Sequence, residues 1–158
     1  LGQGLSIPIV YNSGGYDSVE TLRILDGVVD IYMPDFKFWF GEGADYLDGV
    51  TDYAEIAVAA VQEMHRQVGD LHLVRGVAIS GLLVRHLVMP GAVANTAEIM
   101  RFLAARSPET YVNVMGQYRP YHHARGDPAI GRKVTYAEVA EAVEAAHDAG
   151  LRRIEGHL

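Results

Sequence analysis

Apolar positions in this chain fall into two alternating rhythms. Ile7-Pro8-Ile9-Val10-Tyr11, Val28-Val29-Asp30-Ile31-Tyr32-Met33, Leu82 to Val88 and Thr110 to Met115 are short apolar or β-branched runs bounded by turn residues. That is the pattern of buried strands. Between them the period becomes helical. Leu22 and Leu25 give the first helix an inner face, and Tyr53, Ala57, Ala60, Val61, Met64 and Val68 form the stripe of the second. Ile99, Phe102 and Leu103 turn the third inward, and Val139, Ala142, Val143 and Ala146 the last. Start signals precede each helix: Asp17 with Glu20, Thr51, Asn95 with Glu98, and a capping box of Thr135 and Glu138. Gly27, Gly69, Ser107-Pro108 and Gly150 stop them. A weak alternation from Leu71 to Ile79 predicts a small hairpin around Arg75-Gly76.

The order is strand then helix, four times over. Strands alternating with helices imply an α/β fold with a parallel sheet and right-handed crossovers. Four strands are too few to close a barrel. The expected architecture is an open or incomplete parallel (βα) barrel, with one sheet edge and one face uncovered. Residues 1–158 read as a single domain and as half of something larger. The chain begins at Leu1 rather than Met and enters a strand almost at once, so we expect a preceding part. Phe36 to Val50, with Phe38-Trp39-Phe40 and Asp45-Tyr46, is a long polar-aromatic connection of the kind used as a lid or binding loop.

Every predicted strand ends in polar or ligand-type residues: Asn12 and Ser13; Asp35 and Lys37; Arg85 and His86; Gln117, Tyr118 and Arg119. A parallel sheet gathers its strand C-termini at one end, where such folds place their chemistry. Pro34 cannot donate a ladder hydrogen bond, so the second strand ends near it. Met33, Asp35 and Lys37 lie two apart, and extended backbone points them the same way. A plain surface ion pair is the bland reading of Asp35 and Lys37; the buried strand before them favours a functional one. By the same period, one of Arg85 and His86 points away from any site. His122-His123 reads as a solvated loop, because adjacent histidines rarely reach one ion. Asn12-Ser13-Gly14-Gly15 is first of all a turn and lacks a full phosphate-loop fingerprint.

Composition narrows the functions. The net charge is −7 and the 13 Lys and Arg are scattered, which argues against nucleic acid and against an anionic membrane surface. No apolar run is long enough to span a bilayer, and no signal-peptide layout is present, so a cytoplasmic protein is expected. There is no cysteine, which removes disulfides, thiol nucleophiles and cysteine-ligated clusters from this chain.

Five stretches taken in order resemble the C-terminal part of radical S-adenosylmethionine (SAM) proteins related to pyruvate formate-lyase activating enzyme. They are Ile7-Pro8-Ile9-Val10-Tyr11-Asn12-Ser13-Gly14-Gly15-Tyr16, Asp30-Ile31-Tyr32-Met33-Pro34-Asp35-Phe36-Lys37, Met64-His65-Arg66-Gln67-Val68-Gly69, Val84-Arg85-His86-Leu87-Val88-Met89-Pro90-Gly91 and Met115-Gly116-Gln117-Tyr118-Arg119-Pro120. The resemblance spans essentially the whole chain. It implies a six-stranded partial TIM barrel of which this chain supplies the last four βα units. It also implies a 4Fe-4S cluster held by a C-x3-C-x2-C loop after the first strand, with SAM on the open iron as the source of a radical that abstracts hydrogen.

Carried over, the resemblance puts Asp35 and Lys37 at the SAM site, with Lys37 pairing the SAM carboxylate. Arg85, His86, Gln117 and Tyr118 complete the SAM and substrate side. A monovalent cation near SAM would draw on Asn12, Ser13, Met33 and Asp35, with Asn12 standing where relatives carry an acid. The cluster cysteines and the first two strands are absent from this chain. Alone it is expected to hold no cluster and to bind SAM weakly. The implied partners are a protein substrate or the missing N-terminal part.

Two rival readings stand beside this one. A half-barrel can serve as a non-catalytic binding or assembly module that pairs its open edge. Alternatively Lys37 can act as a Schiff-base lysine, which requires a desolvated amine and is opposed by the neighbouring Asp35.

Overall fold

The computed structural model describes residues 4, 6–39 and 50–157. Its elements are β1 (Val10–Ser13), α1 (Val19–Ile24), β2 (Ile31–Pro34), α2 (Tyr53–Val68), β3 (His72–Val74), β4 (Val77–Leu87), α3 (Thr96–Arg106), β5 (Tyr111–Met115), α4 (Tyr136–Asp148) and β6 (Arg153–His157). The connection expected as a lid lies outside the described residues from Phe40 to Asp48 and Gly49.

The protein is a mixed α/β fold built on one sheet. Five strands run parallel in the order β1-β2-β4-β5-β6, and β3 pairs antiparallel with β4. Successive parallel strands are therefore neighbours. Right-handed crossovers then put every connecting helix on the same side of the sheet. Burial agrees. Tyr32, Leu82, Val84, His86, Val112 and Val114 on one face are fully buried, packed with Leu22, Ala57, Val61, Met64, Ile99 and Leu103 from the helices. The alternate positions Met33, Asp35, Leu83, Arg85, Leu87, Asn113 and Met115 are only half-buried, and no described helix covers them.

Several expectations need correction. β6 is a fifth parallel strand that the hydrophobic pattern does not reveal. Arg152-Arg153-Ile154-Glu155-Gly156 carries one apolar residue among charges, as befits an outer strand with less to bury. β2 begins at Ile31, later than the apolar run, because Asp26–Val29 closes the end of α1 in a turn. The third strand starts earlier, at Val77, where the hairpin feeds it; Arg75 and Gly76 both take positive φ (52° and 79°), as a two-residue hairpin turn requires.

Helix starts also shift. Ser18, not Asp17, caps α1, its hydroxyl accepting from Thr21 N at 3.1 Å. Asp17 is taken by the Tyr11 and Ser13 hydroxyls, which donate to it at 2.8 and 2.6 Å. The capping position of α2 falls on Asp52 rather than Thr51, with no side-chain capping bond. The Thr135–Glu138 capping box is present as expected.

Candidate functional site

The C-terminal half of the open sheet face carries one polar row. Asp35 is in register with Arg85, Arg85 with Asn113, and Asn113 with Glu155, so four adjacent strands each present one polar residue at the same height. Arg85 is the hub. Its Nε donates to Asp35 Oδ1 at 2.8 Å, and its Nη2 lies 2.6 Å from the same oxygen. Nη2 also donates to Asn12 Oδ1 at 2.9 Å. The guanidinium thus ties β1, β2 and β4 together. Asp35 Oδ2 faces the Lys37 ammonium at 3.8 Å, and Lys37 is 37% exposed at the rim. Met33, Asp35 and Lys37 share this face, as their spacing predicts, while Tyr32, Pro34 and Phe36 point to the core.

The strand that carries Asp35 and Lys37 is held at the backbone. Asp35 N–H donates to Ser13 O at 3.0 Å and Phe36 N–H to Arg85 O at 2.8 Å. The Tyr53 hydroxyl accepts from Lys37 N at 3.0 Å and lies 2.9 Å from Gly14 O and 3.1 Å from Asp35 O. Burial pushes that phenol well above its usual range, so it remains a hydroxyl. Gly15, at φ +79°, sits so close that a Cβ there would run into the Asp35 carbonyl. Sequence reasoning took Tyr53 only as part of an inner stripe; nothing in a helical apolar period marks a hydroxyl that reaches a neighbouring loop.

His86 falls on the opposite face from Arg85, fully buried. Its Nδ1 lies 2.8 Å from Phe36 O and its Nε2 2.9 Å from Thr96 Oγ1. Nδ1–H therefore donates to the carbonyl, and Nε2 accepts from the hydroxyl, as a neutral ring requires. Burial pulls its pKa down to about 4. His86 cannot touch a ligand on the open face. It positions the strand that carries Asp35 and Lys37, which corrects its expected place at the cofactor.

The remaining expected residues divide. Tyr118 lines a cleft of about 230 Å³ beside Lys37, with Leu87, Met89 and Arg119, and its hydroxyl donates to Ile130 O at 3.1 Å. Gln117 is exposed, its Nε2 3.4 Å from Met115 Sδ. His122 and His123 lie in an exposed 3-10 turn whose neighbours Tyr121 and Ala124 line the cleft beside Lys37. Asn113 and Glu155 were missed, although the Val112 and Val114 alternation could have placed Asn113 opposite the core. The Asn113 Oδ1 is buried and has no hydrogen-bond partner among the described residues. Glu155 accepts from the Tyr111 hydroxyl at 3.1 Å.

The four residues expected around a monovalent cation do not form its cage. Asn12 and Asp35 turn their oxygens to Arg85. Ser13 lies on the other face, donating to Asp17 and accepting from Gly15 N at 3.2 Å. Among the described residues no three His, Cys, Asp or Glu side chains are grouped to hold a metal. No helix among them is long and apolar enough to cross a membrane.

The fold and site therefore define a parallel α/β protein with a cation-bearing, partly apolar rim at its strand C-termini. An uncharacterized protein of Methanocaldococcus jannaschii is 36% identical over 147 residues, covering 92% of this chain and 40% of that protein. The chain spans about two fifths of that relative's length. No family model and no solved structure matches.

Proposed function

We propose that this chain is the SAM- and substrate-side part of a radical SAM protein resembling the glycyl-radical activating enzymes, an oxidoreductase-type fold in which the sheet belongs to an incomplete (βα) barrel. The observation that carries the reading is the joining of Asn12, Asp35 and Arg85, with Lys37 beside them, on one uncovered face of a sequentially ordered parallel sheet. Lys37 stands at the rim as a cation for the SAM carboxylate. Arg85 fixes Asp35, and the cleft by Leu87, Met89 and Tyr118 offers an apolar wall to a nucleoside. The donor set does not fit a 4Fe-4S cluster, since the chain has no cysteine; a cluster would have to come from protein outside this sequence. This chain's own part is to bind and orient. Lys37 beside the Asp35 carboxylate, at an open rim, does not match the desolvated amine of a Schiff-base enzyme.

Reading the source DNA in frame upstream of Leu1 tests the family. A C-x3-C-x2-C coding stretch one or two βα units away, about 30 residues each, is the expected result. A start signal immediately upstream with no such stretch overturns the radical chemistry. It would favour the assembly-module reading, which the exposed Val10 (50%) on the outer strand β1 supports.

A further inference from the structure

We propose that the Arg85 guanidinium is this site's own monovalent cation, a tethered counterion that replaces a bound sodium or potassium ion. A small cation at the meeting of β1 and β2 would need the Asn12 amide oxygen and an Asp35 carboxylate oxygen. The Asn12 oxygen accepts from Arg85 Nη2 at 2.9 Å, and Asp35 Oδ1 accepts from Arg85 Nε at 2.8 Å with Nη2 in ion-pair contact at 2.6 Å. The Ser13 hydroxyl, the next oxygen along β1, is turned to the other face and occupied by Asp17 and Gly15.

The charges weigh the same way. One carboxylate, Asp35, faces two cations, the Arg85 guanidinium and the Lys37 ammonium, so the cluster is already net positive without an ion, and Asn12 adds a dipole without a charge. A metal ion entering here would sit within bonding distance of a fixed positive charge, with the Lys37 ammonium already on the far oxygen at 3.8 Å. The guanidinium is permanently charged and planar, and its backbone is locked by the Asp35–Arg85 bridge and by Phe36 N–H on Arg85 O. An arginine three strands wide in its reach thus does what a diffusible ion would do: it holds the β1 turn and the Asp35 strand at one spacing. The ion pairing is a property of the protein without ligand; that a cation would be sought at this place rests on the proposed radical SAM reading.

The test is thermal unfolding in sodium, potassium and choline chloride at matched ionic strength. The wild-type midpoint is expected to be the same in all three. Arg85→Ala is expected to melt lower and to regain part of the loss selectively with sodium, potassium or millimolar guanidinium, not with choline. A wild-type midpoint raised by sodium or potassium over choline would overturn the proposal. So would an Arg85→Ala midpoint equal to wild type, or one restored equally by choline. Should that variant not fold, the sodium-23 NMR signal of the wild type decides: no potassium-reversible broadening is expected, and such broadening overturns it.

Discussion

The Tyr53 hydroxyl, on helix α2, accepts the main-chain N–H of Lys37 at 3.0 Å. A core side chain thereby sets the backbone of a rim residue. Tyr53→Phe leaves that N–H, and the carbonyl to which the hydroxyl donates, short of a partner in a part-buried place. A loss of about 1–3 kcal/mol is expected, read as a lower urea midpoint with an unchanged slope. An unchanged midpoint would mean the hydroxyl holds nothing.

Gly15 meets the Asp35 carbonyl with no room for a side chain and with φ in the left-handed region. Gly15→Ala should cost at least about 2 kcal/mol from strain and overlap together. Gly27→Ala also pays for positive φ but meets nothing within 4 Å. Denaturation of both variants separates the close approach from the φ effect; equal losses would contradict the contact.

His86 makes stability depend on pH. Below its ordinary pKa of 6.5 the unfolded chain takes up a proton that the folded chain refuses until about pH 4. Stability is therefore full above pH 6.5 and falls as pH drops toward 4, by up to about 3 kcal/mol. Urea melts across this window should show the fall in the wild type and a flatter profile in His86→Gln. Identical slopes would place the titration elsewhere. Glu63, held down to about 2 by Arg66 and Gln67, adds a loss that begins below about pH 4.5 and is complete near 2.

Asn113 keeps a buried oxygen unsatisfied on the open face. Asn113→Leu removes that oxygen at similar volume, so the variant should be more stable by about 1 kcal/mol. A lower melting midpoint would show that the amide has a structural partner.

Much of this was legible in the chain, for identifiable reasons. Pro34 marks the end of β2, and the period of two sets Met33, Asp35 and Lys37 on one side; the burial of Tyr32, Pro34 and Phe36 follows the same period. The period also says that only one of Arg85 and His86 reaches the site, but not which one. That choice is made by Phe36 O and Thr96 Oγ1, distant groups that satisfy a buried ring. The cap of α1 was misread because Asp17 has long-range partners, Tyr11 and Ser13, that no local rule weighs. β6 was hidden by its charges: Arg153 and Glu155 lie on the open face, where burial does not demand an apolar residue.

On the proposed function, Lys37 and its row present a site for the amino-acid end of SAM. The direct measurement is an amide-resolved NMR titration of the chain with SAM, with 5′-methylthioadenosine, which lacks the amino acid, as control. An affinity on the order of 1 mM is enough to see. SAM is expected to shift the amides of Asp35 to Lys37 and Arg85, the control to leave them unmoved, and Lys37→Met to remove the difference. No shift with SAM, or equal shifts from the control and in Lys37→Met, would contradict the proposed function.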